Sequence, residues 1–248
     1  RQHTPRTAME WTTTFALFVQ VVGDKPITQV TGADVRTFKD ALLQMPASMT
    51  KRYPGKTLAE VIEMTRDDET VTRITPATIG KYLTAIKSVF AWAVSNRYID
   101  TNPASGIIVS RKGGSKTRLS FNADDLAKLF GSPIFTANER PKAGAGEAAK
   151  WLPLLGLFTG ARLEELGQSL AADIRCQDDI WFIDINELDE GKSLKTEGSH
   201  RQIPLHPELV RCGFLRYVET RMGGPLFPLL KADPYGKFTG NWSKWFLR

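Results

Sequence analysis

The run Thr159-Gly160-Ala161-Arg162-Leu163-Glu164-Glu165-Leu166 sets an arginine directly after an apolar stretch at 151–158 and three residues before a glutamate. The pattern predicts Arg162 in the first turn of a helix. A guanidinium is a planar fork of donors, charged at any working pH, and it matches phosphate oxygens well. A helix start adds unpaired N–H groups and the positive end of the helix dipole, so anions are favoured there. The same spacing also describes an ordinary intrahelical Arg162–Glu165 ion pair, worth about 0.2–0.5 kcal/mol. Other chemistry is thinly supplied. The two cysteines, Cys176 and Cys212, form no CxxC pair, which indicates neither a disulfide framework nor a zinc site. No metal and no cofactor is expected.

Composition sets the frame. The 248 residues suffice for one large domain or two ordinary ones, and 42% hydrophobic with 24% charged residues is the balance of a soluble globular protein. The longest apolar run, 151–158, is too short to span a bilayer. The opening Arg1-Gln2-His3-Thr4-Pro5 lacks an initiating Met and any signal-peptide pattern, which suggests a processed or partial chain, and the sparse cysteines suit a reducing cytoplasm. The net charge of +6 is unevenly spread. Residues 1–118 hold 17 Lys+Arg against 10 Asp+Glu, whereas 119–248 hold 16 against 17. Positive potential confined to one half is the electrostatic footprint of a nucleic-acid-binding surface.

The elements that must position Arg162 follow from periodicity. Residues 9–22, 31–44 and 58–64 carry apolar residues at helical spacing. A fourth helix opens at Thr75-Pro76, an N-cap and a proline at the first helical position, and its stripe runs from Ile79 to Val94 before stopping near Asn96. A helical bundle over 1–110 is therefore expected. Residues 111–118 read as a basic, extended linker interrupted by Gly113-Gly114. From 119 to 248 the character changes. The pattern predicts a capped helix at 122–130, a polar loop at 131–146 and a helix at 147–158. The Arg162 helix follows, then three strands around Ile174, 180–185 and 201–205 in an antiparallel sheet, and a helix opened by Pro207 and running through Val218. The fold class is α+β in two domains.

Taken together, Thr159-Gly160-Ala161-Arg162 with Glu165, Ser193-Leu194-Lys195-Thr196, and His200-Arg201-Gln202-Ile203-Pro204-Leu205 resemble the catalytic domain of tyrosine recombinases, the phage-type integrases. Phe90-Ala91-Trp92-Ala93 and Asn102-Pro103-Ala104 are similar to the end of that family's core-binding domain. The resemblance implies DNA cleavage through a covalent 3′-phosphotyrosine and religation to another strand, without ATP or metal, with cationic side chains stabilising the pentacoordinate phosphate. It implies that Arg162 binds the scissile phosphate and that Lys195 protonates the departing 5′ oxygen. Glu165 would support the arginine turn. It further implies a clamp around double-stranded DNA, with Lys81, Lys87, Arg111, Lys112, Lys116 and Arg118 as candidate phosphate contacts and His200 and Arg201 as further ones. Full-length members assemble as a tetramer of protomers on two duplexes.

The chain departs from the family pattern after the sheet, where the family has a His-x-x-Arg box, a further His or Trp and a tyrosine nucleophile. No His-x-x-Arg follows the sheet: His200 and His206 lack the arginine three residues on, and only His3 has one, Arg6, at the wrong end. None of Tyr53, Tyr82, Tyr98, Tyr217 and Tyr235 lies beyond such a box. The final residues, 241–248, resemble the helix that precedes it. The expectation is a partial catalytic domain at 119–248 that binds DNA without cleaving it. The alternatives are a non-enzymatic DNA-binding protein sharing the integrase fold and a helical module whose basic half binds protein or RNA.

Overall fold

The computed structural model describes residues 4–110, 119–189, 191–194 and 197–247. The chain divides into two compact units, Arg1–Arg118 and Leu119–Arg248. The linker expected at 111–118 lies outside the described residues.

The first unit contains α1 (Pro5–Val22), α2 (Gly32–Gln44), α3 (Met49–Arg52), α4 (Leu58–Met64) and α5 (Pro76–Ser95). Four of these begin on a threonine. Thr4, Thr31, Thr57 and Thr75 each accept the backbone N–H of the residue three positions on, satisfying a donor that the helix itself leaves unpaired. Asp34 and Glu60 return a carboxylate to the cap residue and close a capping box. α1 starts four residues before the predicted position because Thr4-Pro5 is the same start signal as Thr75-Pro76. The core is Phe18 from α1, Val35, Phe38 and Leu42 from α2, Leu58 and Val61 from α4, and Ile79, Leu83, Ile86 and Phe90 from α5. Phe18 meets Phe38 edge-to-face at 5.1 Å. Val19 of α1 and Leu43 of α2 are exposed. Thr75→Ala is expected to cost this unit about 1 kcal/mol. A denaturant melt superimposing on that of the parent would show that Pro76 alone sets the helix start.

The second unit contains α6 (Ala123–Phe130), α7 (Pro133–Thr136), α8 (Ala148–Thr159), α9 (Leu163–Gly167), β1 (Ile174–Gln177), β2 (Ile180–Ile185), β3 (Arg201–Pro204), α10 (Pro207–Arg211), α11 (Phe214–Glu219) and α12 (Gly240–Phe246). The strands form one antiparallel sheet in the order β1-β2-β3. Asp178 and Asp179 both take positive φ, the geometry that joins two strands by a two-residue turn. Ile183 pairs with Ile203 and Ile185 with Arg201. Ile183 and Ile185 enter a core shared with Trp151, Leu152 and Leu155 of α8, Leu209, Phe214 and Trp242.

Two expectations are corrected. The loop at 131–146 contains α7, started by Pro133, and a short 3-10 turn at Lys142–Gly144. A Cβ on Gly144 would enter the Trp245 ring at 2.7 Å, so α12 packs directly on that backbone. The single helix expected after Pro207 is two helices, because Gly213 turns left-handed at φ 87° and ends the first.

Candidate anion-binding site

α8 is buried through Trp151, Leu152, Leu154 and Leu155 and carries the chain to Thr159. Gly160 then takes a left-handed φ of 62°, a conformation that a Cβ disfavours. The Thr159 hydroxyl donates to the Leu155 carbonyl at 2.5 Å and accepts the Ala161 N–H at 3.2 Å, closing the turn. Arg162 does not lie within the first helical turn as predicted. It is the N-cap residue, extended at φ −65° and ψ 142°, because the chain must straighten after Gly160 before α9 begins at Leu163. Its side chain therefore leaves from the rim of the helix start and stays half exposed, at 51%.

Glu165 is the hub of this turn. Its carboxylate accepts the Arg162 backbone N–H at 2.9 Å and the Arg162 Nη1 at 2.6 Å. It also accepts Nη2 of Arg201, on β3, at 2.8 Å. The intrahelical ion pair weighed from sequence is thus present, with a second guanidinium added from 36 residues away. Ser199 lies between the arginines, its hydroxyl accepting Arg162 Nη1 at 3.0 Å and its carbonyl accepting Arg201 Nη1 at 2.8 Å. Glu165 is 4% exposed. Burial pushes its carboxyl up, but the hydrogen bonds from Arg201 and from the Arg162 backbone and side chain outweigh this and hold it below its ordinary value. A carboxylate depressed on folding stabilises above its unfolded pKa, and that contribution is lost as pH falls through the folded one. The unit should therefore lose stability on acidification below about pH 4.5, and Glu165→Gln should flatten that fall. Equal acid slopes in the two proteins would refute an anionic Glu165.

His200 and Arg201 are not brought together. Arg201 pairs with Ile185, whose side chain is in the core, so alternation along β3 sends the neighbouring His200 to the opposite face. There His200 Nε2 meets Asp184 Oδ1 at 3.2 Å, and Arg175 Nη1 reaches the other oxygen of Asp184 at 3.3 Å. Lys195, the expected acid, lies outside the described residues, and so do Arg111, Lys112, Lys116 and Arg118.

The chain just before Lys195 is strongly anchored by residues that periodicity does not flag. Lys192 is 4% exposed, and its ammonium donates to both oxygens of Asp173 at 2.8 Å, to Asn186 Oδ1 at 3.1 Å and to Asp189 Oδ2 at 2.6 Å. Gln168, directly after α9, grips the Ser193 peptide from both sides at 3.0 Å. On α9 itself, Glu164 points away from the arginines. It accepts the backbone N–H groups of Phe238 and Thr239 at 2.7 and 3.2 Å and the Thr239 hydroxyl at 2.5 Å, capping α12.

In the first unit, Lys81 and Lys87 both line a groove of about 840 Å³ between α1, α5 and residues 107–109. Lys81 is exposed and Lys87 half-buried, and Met9, Trp11, Thr13 and Thr84 share the walls. Among the described residues no three His, Cys, Asp or Glu side chains converge as metal ligands, and no helix is long and apolar enough to cross a membrane. Tyr217 stacks on Trp151 and donates to the Leu226 carbonyl, and burial pushes its hydroxyl up to about 12.

With its helical first unit and an arginine turn beside a three-stranded antiparallel sheet, the chain has the fold of solved integrases. The Tn1549 transposon integrase in complex with circular intermediate DNA is similar over 100% of this chain and 72% of that one, at TM-score 0.59 and 17% identity. A second complex of that integrase with a circular intermediate DNA gives TM-score 0.56 at 15% identity, over 95% of this chain and 68% of that one. A third, with transposon right end DNA, gives 0.54 at 17%, over 94% and 62%. No protein-family model and no curated protein matches the chain.

Proposed function

We propose that the chain binds double-stranded DNA and carries part of the strand-exchange site of a tyrosine-type site-specific recombinase of a mobile element. The observation that carries this reading is the half-exposed Arg162, held by a buried carboxylate within an integrase fold. Its forked donors suit a nonbridging phosphate oxygen pair, and a fixed cation stabilises the charge that builds on a pentacoordinate phosphorus. Glu165 orients Arg162 and takes no part in bond making. In the reaction implied by the resemblance, a tyrosine hydroxyl attacks phosphorus, the 5′ oxygen departs, and Lys195 supplies its proton. The reverse step joins a new 5′ hydroxyl and releases the tyrosine.

Lys81 and Lys87 on the α1–α5 groove, together with Arg111, Lys112, Lys116 and Arg118, would follow the phosphate backbone. Arg201 is engaged by Glu165 and His200 by Asp184, so any phosphate contact of theirs is secondary to those pairings. After the sheet the residues to 248 hold no His-x-x-Arg, so neither Tyr217 nor Tyr235 follows such a box. On this reading residues 1–248 bind without cleaving, and recombinase protomers act together on two duplexes.

The test is binding to a duplex at several salt concentrations, run beside a nicked suicide substrate. If all four linker cations touch phosphate, they contribute a slope of log K against log salt of roughly −3 to −4, and replacing them with alanine flattens the slope by that amount. An unchanged slope removes the linker from the interface. Equal affinity for RNA would favour a general nucleic-acid module. A covalent adduct mapped to any of the five tyrosines would overturn the account of the missing nucleophile.

A further inference from the structure

The charges around Glu165 do not balance. One carboxylate, 4% exposed, faces two guanidiniums. Glu164, its neighbour in sequence, is committed to the start of α12, and the nearest acid on the sheet, Asp184, faces His200 and Arg175. Among the described residues the cluster therefore carries a net charge of +1, and the two arginines share it unequally. Arg201 is the more enclosed, 35% exposed against 51%. Arg201 spends one Nη on Glu165 and the other on the Ser199 carbonyl. Arg162 makes both of its side-chain bonds through Nη1. Its Nε and Nη2 carry no hydrogen bond among the described residues.

We infer that Arg201 is a positioning residue that neutralises Glu165 and so leaves the charge of Arg162 to an anion. Glu165 alone would both orient Arg162 and cancel it, since a paired arginine presents a phosphate with little net attraction. Arg201 separates the two effects. Its guanidinium offsets the carboxylate from the far side, while Glu165 still fixes the turn through the Arg162 N–H and Nη1. The inference rests on the reading of Arg162 as a phosphate ligand and adds to it a residue that acts without touching the phosphate.

A charge cycle tests this. Affinity for inorganic phosphate and for a short duplex is measured at one low salt concentration for the parent, Arg201→Met, Arg201→Lys, Glu165→Gln and the double variant Glu165→Gln/Arg201→Met, with a thermal melt of each. Arg201→Met should weaken phosphate binding roughly tenfold, the size of one lost charge-assisted contact. Arg201→Lys, which keeps the charge, should recover most of that loss. The decisive protein is the double variant. It removes both partners together, so it folds even if Arg201→Met does not, and its net charge is again +1. It should bind phosphate more tightly than Arg201→Met, whose cluster is neutral, although the Glu165→Gln change keeps only one of the two acceptors that hold Arg162. A double variant no tighter than Arg201→Met would overturn the inference and place Arg201 on the anion itself. Rescue with phosphate but no binding to duplex sinks the DNA reading and leaves the inference standing. Duplex binding without rescue does the reverse. Binding of neither probe by the parent overturns both.

Discussion

Asp173→Ala is expected to lower the unfolding free energy of the second unit by about 3–5 kcal/mol, the cost of removing one partner from a buried ion pair. The size follows from what the carboxylate serves. Both its oxygens take the Lys192 ammonium, one accepts the Leu170 N–H at 2.7 Å and the other the Asn186 amide at 2.9 Å. Asp173 and Lys192 are each 4% exposed, so the orphaned ammonium cannot recover its hydration where it sits. Asp189 remains to it, but that side chain is half exposed and already engaged. Replacing both partners is a different experiment. Lys192→Met with Asp173→Leu removes two desolvated charges and should cost much less than either single change. Urea melts of the four proteins measure this directly, with the midpoint shifting and the slope preserved. A loss under about 1 kcal/mol for Asp173→Ala would place the pair in the class of surface ion pairs.

Gly167→Ala is the second large effect, at about 3 kcal/mol, near the upper end for overpacking a close contact. A Cβ built at Gly167 would fall inside the van der Waals shell of Thr239 Cγ2 and press on Leu230 Cδ1 at 3.4 Å. Thr239 cannot easily retreat, because its N–H and hydroxyl are both held by Glu164. The same contact supplies the control. Thr239→Ser deletes Cγ2 and keeps the hydroxyl, so the Gly167→Ala/Thr239→Ser protein should regain at least half of the loss. Additive losses in the pair would mean that the obstruction lies elsewhere.

The parts of the fold that were legible in sequence are those written in short-range chemistry. Thr75-Pro76 marked the start of α5, the apolar spacing from Leu58 to Met64 marked α4, and the run of β-branched and aromatic residues at 180–185 marked β2. Arg162 and Glu165 were recognisable three residues apart. The misses are contacts that no local period encodes. Arg201 reaches Glu165 across 36 residues, and Glu164 finds Phe238 and Thr239 across 74 and 75. Lys192 carries no local signal, because its burial depends on a pairing with Asp173, 19 residues away. His200 and Arg201, adjacent in sequence, are engaged separately by Asp184 and Glu165. Placing Arg162 inside α9 failed for another reason: the left-handed Gly160 consumes the residue that would have begun the helix.

α9 is only five residues long, yet the stretch from Arg162 to Gln168 faces four ways: to Arg201, to the start of α12, to the Thr239 methyl and to the Ser193 peptide. Each residue turns the helix by about 100°, so a single inserted or deleted residue here would rotate every later group onto the wrong neighbour. Chains that diverge from this one while keeping its site should vary in length on either side of this stretch and keep its seven-residue spacing.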